Sequence, residues 1–78
     1  MNELSHQYAI CINNTNCEDL ELRKVYRVLA DDRAIQENYL RVIDDSGEDY
    51  LYPRSYFVSV SFSPNDELEL SGIFDRFS

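Results

Sequence analysis

Short apolar or alternating runs recur along the first four fifths of the chain and predict β-strands. Apolar residues that alternate with polar ones are typical of half-buried strands. The predicted strands cover residues 8–12, 23–29, 39–43, 49–52 and 57–62. Val25, Tyr26 and Val28 are β-branched or aromatic and favour a strand, with Tyr26 and Val28 on one face. A helix over residues 18–33 is the competing interpretation, since this segment is rich in Glu, Leu, Arg and Lys.

The segments between these runs have the chemistry of turns and loops. Asp44-Asp45-Ser46-Gly47 predicts a hairpin turn, in which Gly47 supplies a positive φ angle. Pro53 cannot donate to a strand ladder and is expected to end its strand, before one helical turn over residues 54–56. Residues 13–22 predict a long loop, in which 17–22 is half-buried and extended with Leu20 and Leu22 on one side. Residues 30–38 predict a polar loop or one helical turn.

The C-terminal segment has a different pattern, which predicts a helix. Ser63 is a candidate N-cap, followed by Pro64 at the first helical position. Leu70, Ile73, Phe74 and Phe77 then follow helical spacing and form one apolar stripe. The stripe either covers an open end of the β-domain or docks a second copy or another protein. Packing on its own domain is the favoured interpretation, because a small domain needs that apolar burial. The predicted organisation is a flexible 1–7, a small β-barrel over 8–62, and a helix or tail over 63–78.

Length and charge narrow the class of function. A chain of 78 residues forms one modest core. Few apolar residues then remain to line an enclosed catalytic pocket. The net charge of −8 disfavours direct binding of nucleic acid or a membrane surface. Such charge ordinarily serves solubility, and the sharper alternatives are a basic partner or mimicry of nucleic acid. A hydrophobic content of 44% argues against disorder.

Catalytic and metal-binding constellations are not evident in the sequence, so we expect no enzyme and no cofactor or metal. His6 is the only histidine, no Gly-rich phosphate loop is present, and the paired carboxylates fall in predicted turns. Cys11 and Cys17 are too few for a disulfide scaffold and are expected to be reduced thiols. No secretory signal or membrane span is evident in the sequence. These features predict a cytoplasmic protein.

The order of strands, loops and turns resembles a Src-homology-3-like small barrel over residues 8–60. The best local match is LYPRSYF, residues 51–57, which is similar to the family segment with a proline and a tyrosine around its helical turn. The stretch LRVIDDSGEDYLYP also resembles small bacterial and phage proteins of the same broad fold. The fold class expected is therefore mainly β, a barrel of about five strands with a short C-terminal helix.

The resemblance implies a groove for a protein or peptide partner. Tyr39, Pro53 and Tyr56 match the groove positions, but the favoured interpretation of Pro53 and Tyr56 is that they shape the helical turn. The residues expected in the acidic loop beside the groove are Glu18, Asp19 and Glu21. The chain departs from the family in having no Trp, and in having Tyr50 where the family usually has a glycine. The function predicted is a non-enzymatic protein-interaction module, monomeric or weakly dimeric; the alternative is an acidic inhibitor or nucleic-acid mimic.

Overall fold

Five antiparallel strands and two α-helices form the regular structure of the described part of the chain. The structure is a computed structural model that describes residues 7–76, with the backbone alone from 74 to 76. The elements are β1 (Gln7–Cys11), β2 (Val25–Leu29), α1 (Asp32–Gln36), β3 (Tyr39–Ile43), β4 (Asp49–Pro53), a 3₁₀ turn (Arg54–Tyr56), β5 (Phe57–Val60) and α2 (Pro64–Arg76). The prediction of a mainly β domain with a C-terminal helix is confirmed.

The strands form one antiparallel sheet in the order β4-β3-β2-β1-β5. The first and last strands in the chain are neighbours, because β1 pairs with β5, for example through Ala9 and Ser59. Within residues 7–76, β4 and β5 are the two edges and do not pair with each other. The sheet is open, so its closure into a barrel stays a prediction.

One face of the sheet carries the hydrophobic core. Direct cross-strand pairs on this face include Ala9 with Tyr26 and Val28 with Val42. All four side chains are buried, and Leu20 from the first loop packs into the same cluster. The prediction that Tyr26 and Val28 share a face is confirmed. The competing helix over 18–33 is absent, because residues 25–29 are a strand in the middle of the sheet.

The first loop differs from its predicted extended form. Leu20 is 3% exposed but Leu22 is 46% exposed, so the expectation that they lie on one buried side is wrong. The reason is a turn, in which the Leu20 N–H donates to the Cys17 carbonyl oxygen at 3.4 Å. Arg23, with a φ angle of +67°, then redirects the chain toward β2. Because the segment turns twice, its side chains do not alternate between two faces as they would in an extended strand.

The predicted hairpin turn joins β3 to β4. The Asp44 N–H donates to the Glu48 carbonyl oxygen at 3.0 Å, and the Gly47 N–H donates to the Asp44 carbonyl oxygen at 2.9 Å. Gly47 has a φ angle of +87°, which is the left-handed conformation that such a three-residue connection needs. The predicted single helical turn after Pro53 is also present, as the 3₁₀ turn.

The segment 30–38 contains the helix α1, which packs on β3. Asp31 caps it, since its carboxylate accepts the Ala34 N–H at 3.0 Å. The same carboxylate binds the Arg41 side chain on β3 at 2.7 Å. Ala34 is 4% exposed and is the buried residue of the helix. One helical turn was one of the two predicted alternatives for this segment.

The helix α2 begins as predicted, because the Ser63 hydroxyl accepts the Asp66 N–H at 3.2 Å. Of the predicted stripe, Leu70 is half-buried and Ile73 is 51% exposed; the side chains of Phe74 and Phe77 lie outside the described residues. The predicted flexible segment also lies outside them, except that Gln7 begins β1. Across residues 7–76 the helices are too short or too polar to cross a membrane.

Candidate interaction surface

The first loop, residues 12–24, and the β3–β4 hairpin turn meet at one end of the sheet. The Asp45 N–H donates to the Asp19 carbonyl oxygen at 2.9 Å. The Asp45 carboxylate also binds Lys24 at 2.5 Å and accepts the Tyr26 hydroxyl at 3.0 Å. The Tyr26 hydroxyl in turn accepts the Glu21 N–H at 2.7 Å. These bonds fix the acidic loop against the hairpin.

Tyr50 lies on β4 beside this junction and is 50% exposed. Its hydroxyl donates to Glu48 Oε1 at 3.1 Å. The pKa of Tyr50 is raised, first by this hydrogen bond and the Glu48 charge, and further by the negative charges of Asp44 and Asp19. Tyr50 therefore lies in a negative field that comes from both the hairpin and the first loop.

We call this surface the acidic tyrosine patch and define it as Asp19, Glu48 and Tyr50, with Glu18 and Glu21 flanking Asp19 in the chain. All five residues are exposed. Among residues 7–76, no Lys or Arg side chain forms an ion pair with the carboxylates of this patch. Their negative charge is therefore available to a partner.

A buried hydrogen-bond network supports the patch from below. Asp44 is 5% exposed and accepts the Tyr52 hydroxyl at 2.6 Å. Its other oxygen accepts the Ser46 N–H at 3.0 Å and the Ser46 hydroxyl at 2.5 Å. The pKa of Tyr52 is raised, first by burial and then by its bond to Asp44. These bonds tie the turn at residues 44–46 to β4, the strand that carries Tyr50.

The groove residues implied by the resemblance fall into two places. Tyr39 and Pro53 are directly paired across β3 and β4, and strand alternation sets them on the face opposite the core. Tyr39 is 40% exposed. Tyr56 packs instead against the core cluster, and its hydroxyl donates to the Thr15 carbonyl oxygen at 3.3 Å. In the described part of the chain, no ring contact or hydrogen bond joins Tyr56 to Tyr39.

The sequence predicts the acidic loop as a partner-binding segment, but it does not single out Tyr50 or Glu48. Tyr50 stands where the family usually has a glycine, and Glu48 is one of the paired carboxylates in predicted turns. The signal available was an aromatic residue directly after a predicted acidic turn. Its exposure could not be predicted from the strand pattern, because Tyr50 is on the same face as its cross-strand partner Val42, which is fully buried.

Within residues 7–76, no group of three His, Cys, Asp or Glu side chains is arranged to hold a metal ion. Cys11 and Cys17 are free thiols, and burial is the main cause that raises the pKa of Cys11. The Cys11 thiol therefore stays protonated and unreactive near neutral pH.

The fold and the surface define a small, mainly β domain with an open sheet and an acidic tyrosine patch. Comparison with protein-family models, curated proteins and solved structures found no match to this chain. The resemblance to Src-homology-3-like barrels therefore rests on the residues that carry it.

Proposed function

We propose that this domain is a non-enzymatic protein-interaction module of the cytoplasm, and that it binds a basic segment of a partner protein through the acidic tyrosine patch. The observation that carries the proposal is the half-exposed Tyr50 ring among carboxylates without a described ion pair. Two free cysteines agree with a reducing compartment.

The chemistry of the patch suits a Lys or Arg side chain. An exposed tyrosine ring attracts a cation over its face, and this contact is stronger when the cation is partly desolvated. Carboxylates of Asp19 and Glu48 beside the ring add charge complementarity and favour rapid association. Aromatic anchors ringed by polar groups are also typical of binding hot spots.

Some other carboxylates of the described residues are paired with a cation, whereas Asp19 and Glu48 are not. Asp45 is paired with Lys24. Asp31 and Asp49 share Arg41, at 2.7 and 3.0 Å. Part of the net charge of −8 is therefore unpaired and lies beside Tyr50 at Glu48.

The second candidate is an acidic inhibitor or nucleic-acid mimic that blocks a basic protein. It is supported by the same net charge of −8 in a chain of 78 residues. The two candidates differ in the role of the ring. A mimic binds through charge and loses affinity steeply with salt, since screening shortens the reach of exposed charges. An interaction module retains a part of its affinity that depends on Tyr50.

The test begins with capture of partners from source-cell lysate at low and high salt, followed by titration of a purified partner. Tyr50→Ala should weaken binding at least tenfold at both salt concentrations. Asp19→Asn with Glu48→Gln should weaken binding mainly at low salt. Val58→Ala is the matched control, because Val58 is also 50% exposed but lies on β5.

Two other results would each replace the proposal. Binding that survives Tyr50→Ala but disappears at high salt would favour the acidic mimic. Binding that survives Tyr50→Ala but is lost in Tyr39→Ala would favour the groove implied by the resemblance, because Tyr39 is the exposed aromatic residue of that surface.

A further inference from the structure

The free edge of β4 presents backbone groups beside the acidic tyrosine patch. The Asp44 N–H to Glu48 carbonyl bond makes this pair a hydrogen-bonded pair of the ladder. Since hydrogen-bonded and non-hydrogen-bonded pairs alternate along antiparallel strands, Tyr50 and Tyr52 bond to β3. The N–H and C=O groups of Asp49 and Leu51 therefore point away from the sheet.

Pro53 agrees with this assignment of the edge. It pairs with Tyr39 at the next non-hydrogen-bonded position, where its missing N–H would have pointed outward. Proline is tolerated in a sheet only where it takes no donor from the ladder. The outward edge of β4 therefore offers donors and acceptors at Asp49 and Leu51, and an acceptor at Pro53.

The accessible part of this edge is its hairpin end. Asp49, Tyr50 and Leu51 are all exposed, with Leu51 at 46%. Since β4 is an outer strand of the open sheet, another extended chain can pair with it. Exposed edges of this kind are templates for strand addition.

We propose that the partner binds as an added β-strand on β4, with basic and apolar residues in alternation. This inference rests on the proposed function, and it specifies the conformation and sequence pattern of the bound segment. Residues directly opposite in a sheet share a face. A basic residue opposite Tyr50 lies beside Glu48, whereas an apolar residue opposite Leu51 covers its exposed side chain.

Charge selects a basic partner over a second copy of this chain. Two copies would each bring a net charge of −8, and this like charge opposes their association. Asp49 on the Leu51 face is already bound to Arg41, so that face favours an apolar residue. The carboxylate of Glu48 on the Tyr50 side has no described cation, so that side favours a basic one.

The experiment uses the full chain, labelled with ¹⁵N, and an eight-residue peptide of alternating valine and lysine with blocked ends. A second peptide has the same sequence with N-methyl groups on the amides of its β4-facing edge. The valine–lysine peptide should slow amide hydrogen exchange at Leu51 at least tenfold. The Tyr50 amide is the internal control, because it is already bonded to β3 and should change much less. The N-methylated peptide should bind at least tenfold more weakly.

Strand addition is overturned if both peptides bind equally well and the Leu51 amide stays unprotected. Shifts centred on Tyr50 in that case would leave the proposed function intact, with the basic segment bound in another conformation. Failure of the unmodified peptide to bind would also overturn strand addition, because it carries the pattern that the edge selects. The separate titration of Tyr50→Ala against a purified partner then decides whether the proposed function fails too.

Discussion

The bond between Tyr52 and the buried Asp44 is expected to be a main source of stability in the β3–β4 hairpin. Tyr52→Phe removes one hydroxyl and leaves the ring that packs on Phe57, with centroids 6.3 Å apart. Asp44 keeps its two bonds from Ser46 but loses the donor to its other oxygen. Because Asp44 is 5% exposed, water cannot easily replace this donor.

The expected loss follows from the charge and burial of the acceptor. Hydrogen bonds to charged groups contribute roughly 1.5–3 kcal/mol, and an unsatisfied buried partner adds to the cost. At about 0.05–0.15 kcal/mol per residue, a domain of this length has a free energy of unfolding of roughly 4–12 kcal/mol. A loss of about 2 kcal/mol is therefore a large fraction, and it should lower Tm by roughly 8–16 °C.

Tyr50→Phe is the matched control, because the chain offers the same substitution two residues away. Tyr50 also donates its hydroxyl to a carboxylate, at 3.1 Å, but this bond is at the solvent-exposed surface. Urea and thermal unfolding at pH 7, followed by circular dichroism, should show a clear loss for Tyr52→Phe and little change for Tyr50→Phe. Equal losses in the two variants would refute the argument that burial of Asp44 determines the magnitude.

Three further outcomes can be measured by the same unfolding assay. Gly47→Ala should lower the free energy of unfolding by roughly 1–2 kcal/mol, because Gly47 has a φ angle of +87°. Gly72→Ala in α2 should raise it by roughly 0.5–1 kcal/mol, since nothing lies within 4 Å of the added methyl group. Effects of the same sign in the two variants would contradict this. Stability should fall as the pH rises above the ordinary tyrosine pKa of 10.0, because burial raises the pKa of Tyr26 and the folded state holds its proton longer than the unfolded state; Tyr26→Phe should flatten this slope. Stability should also fall as the pH drops below the ordinary pKa of 3.8 for Asp31, because the Ala34 N–H and then Arg41 lower the pKa of Asp31 in the folded state; an unchanged acid slope in Asp31→Asn would contradict this.

The β3–β4 hairpin could be predicted from the sequence because its determinants are local. Gly47 and the aspartates before it specify the turn chemistry, and the alternation on both sides specifies the strands. The start of α2 was predictable for the same reason, since Ser63 and its neighbours are a local N-terminal signal. Element type therefore followed from residues only a few positions apart.

The first loop could not be predicted in the same way, because its form depends on residues far along the chain. Asp19 is held by the backbone of Asp45, and Glu21 by the hydroxyl of Tyr26. Its apolar pattern alone predicts an extended segment, but the segment turns at Leu20 instead. The acidic residues of the candidate site were therefore found from the sequence, but their position against the hairpin was not.

Strand alternation places Tyr50 and Tyr52 on one face but does not determine which of them is exposed. Both side chains lie on the core face of β4, since they are two residues apart. Tyr52 packs against the core cluster, whereas Tyr50, next to the hairpin turn, is 50% exposed. Tyr50 is therefore on the core face but half exposed, and its hydroxyl is bonded to the Glu48 carboxylate. The exposed half of this aromatic side chain is apolar surface that a partner could bury, and this is the physical reason to test the acidic tyrosine patch first.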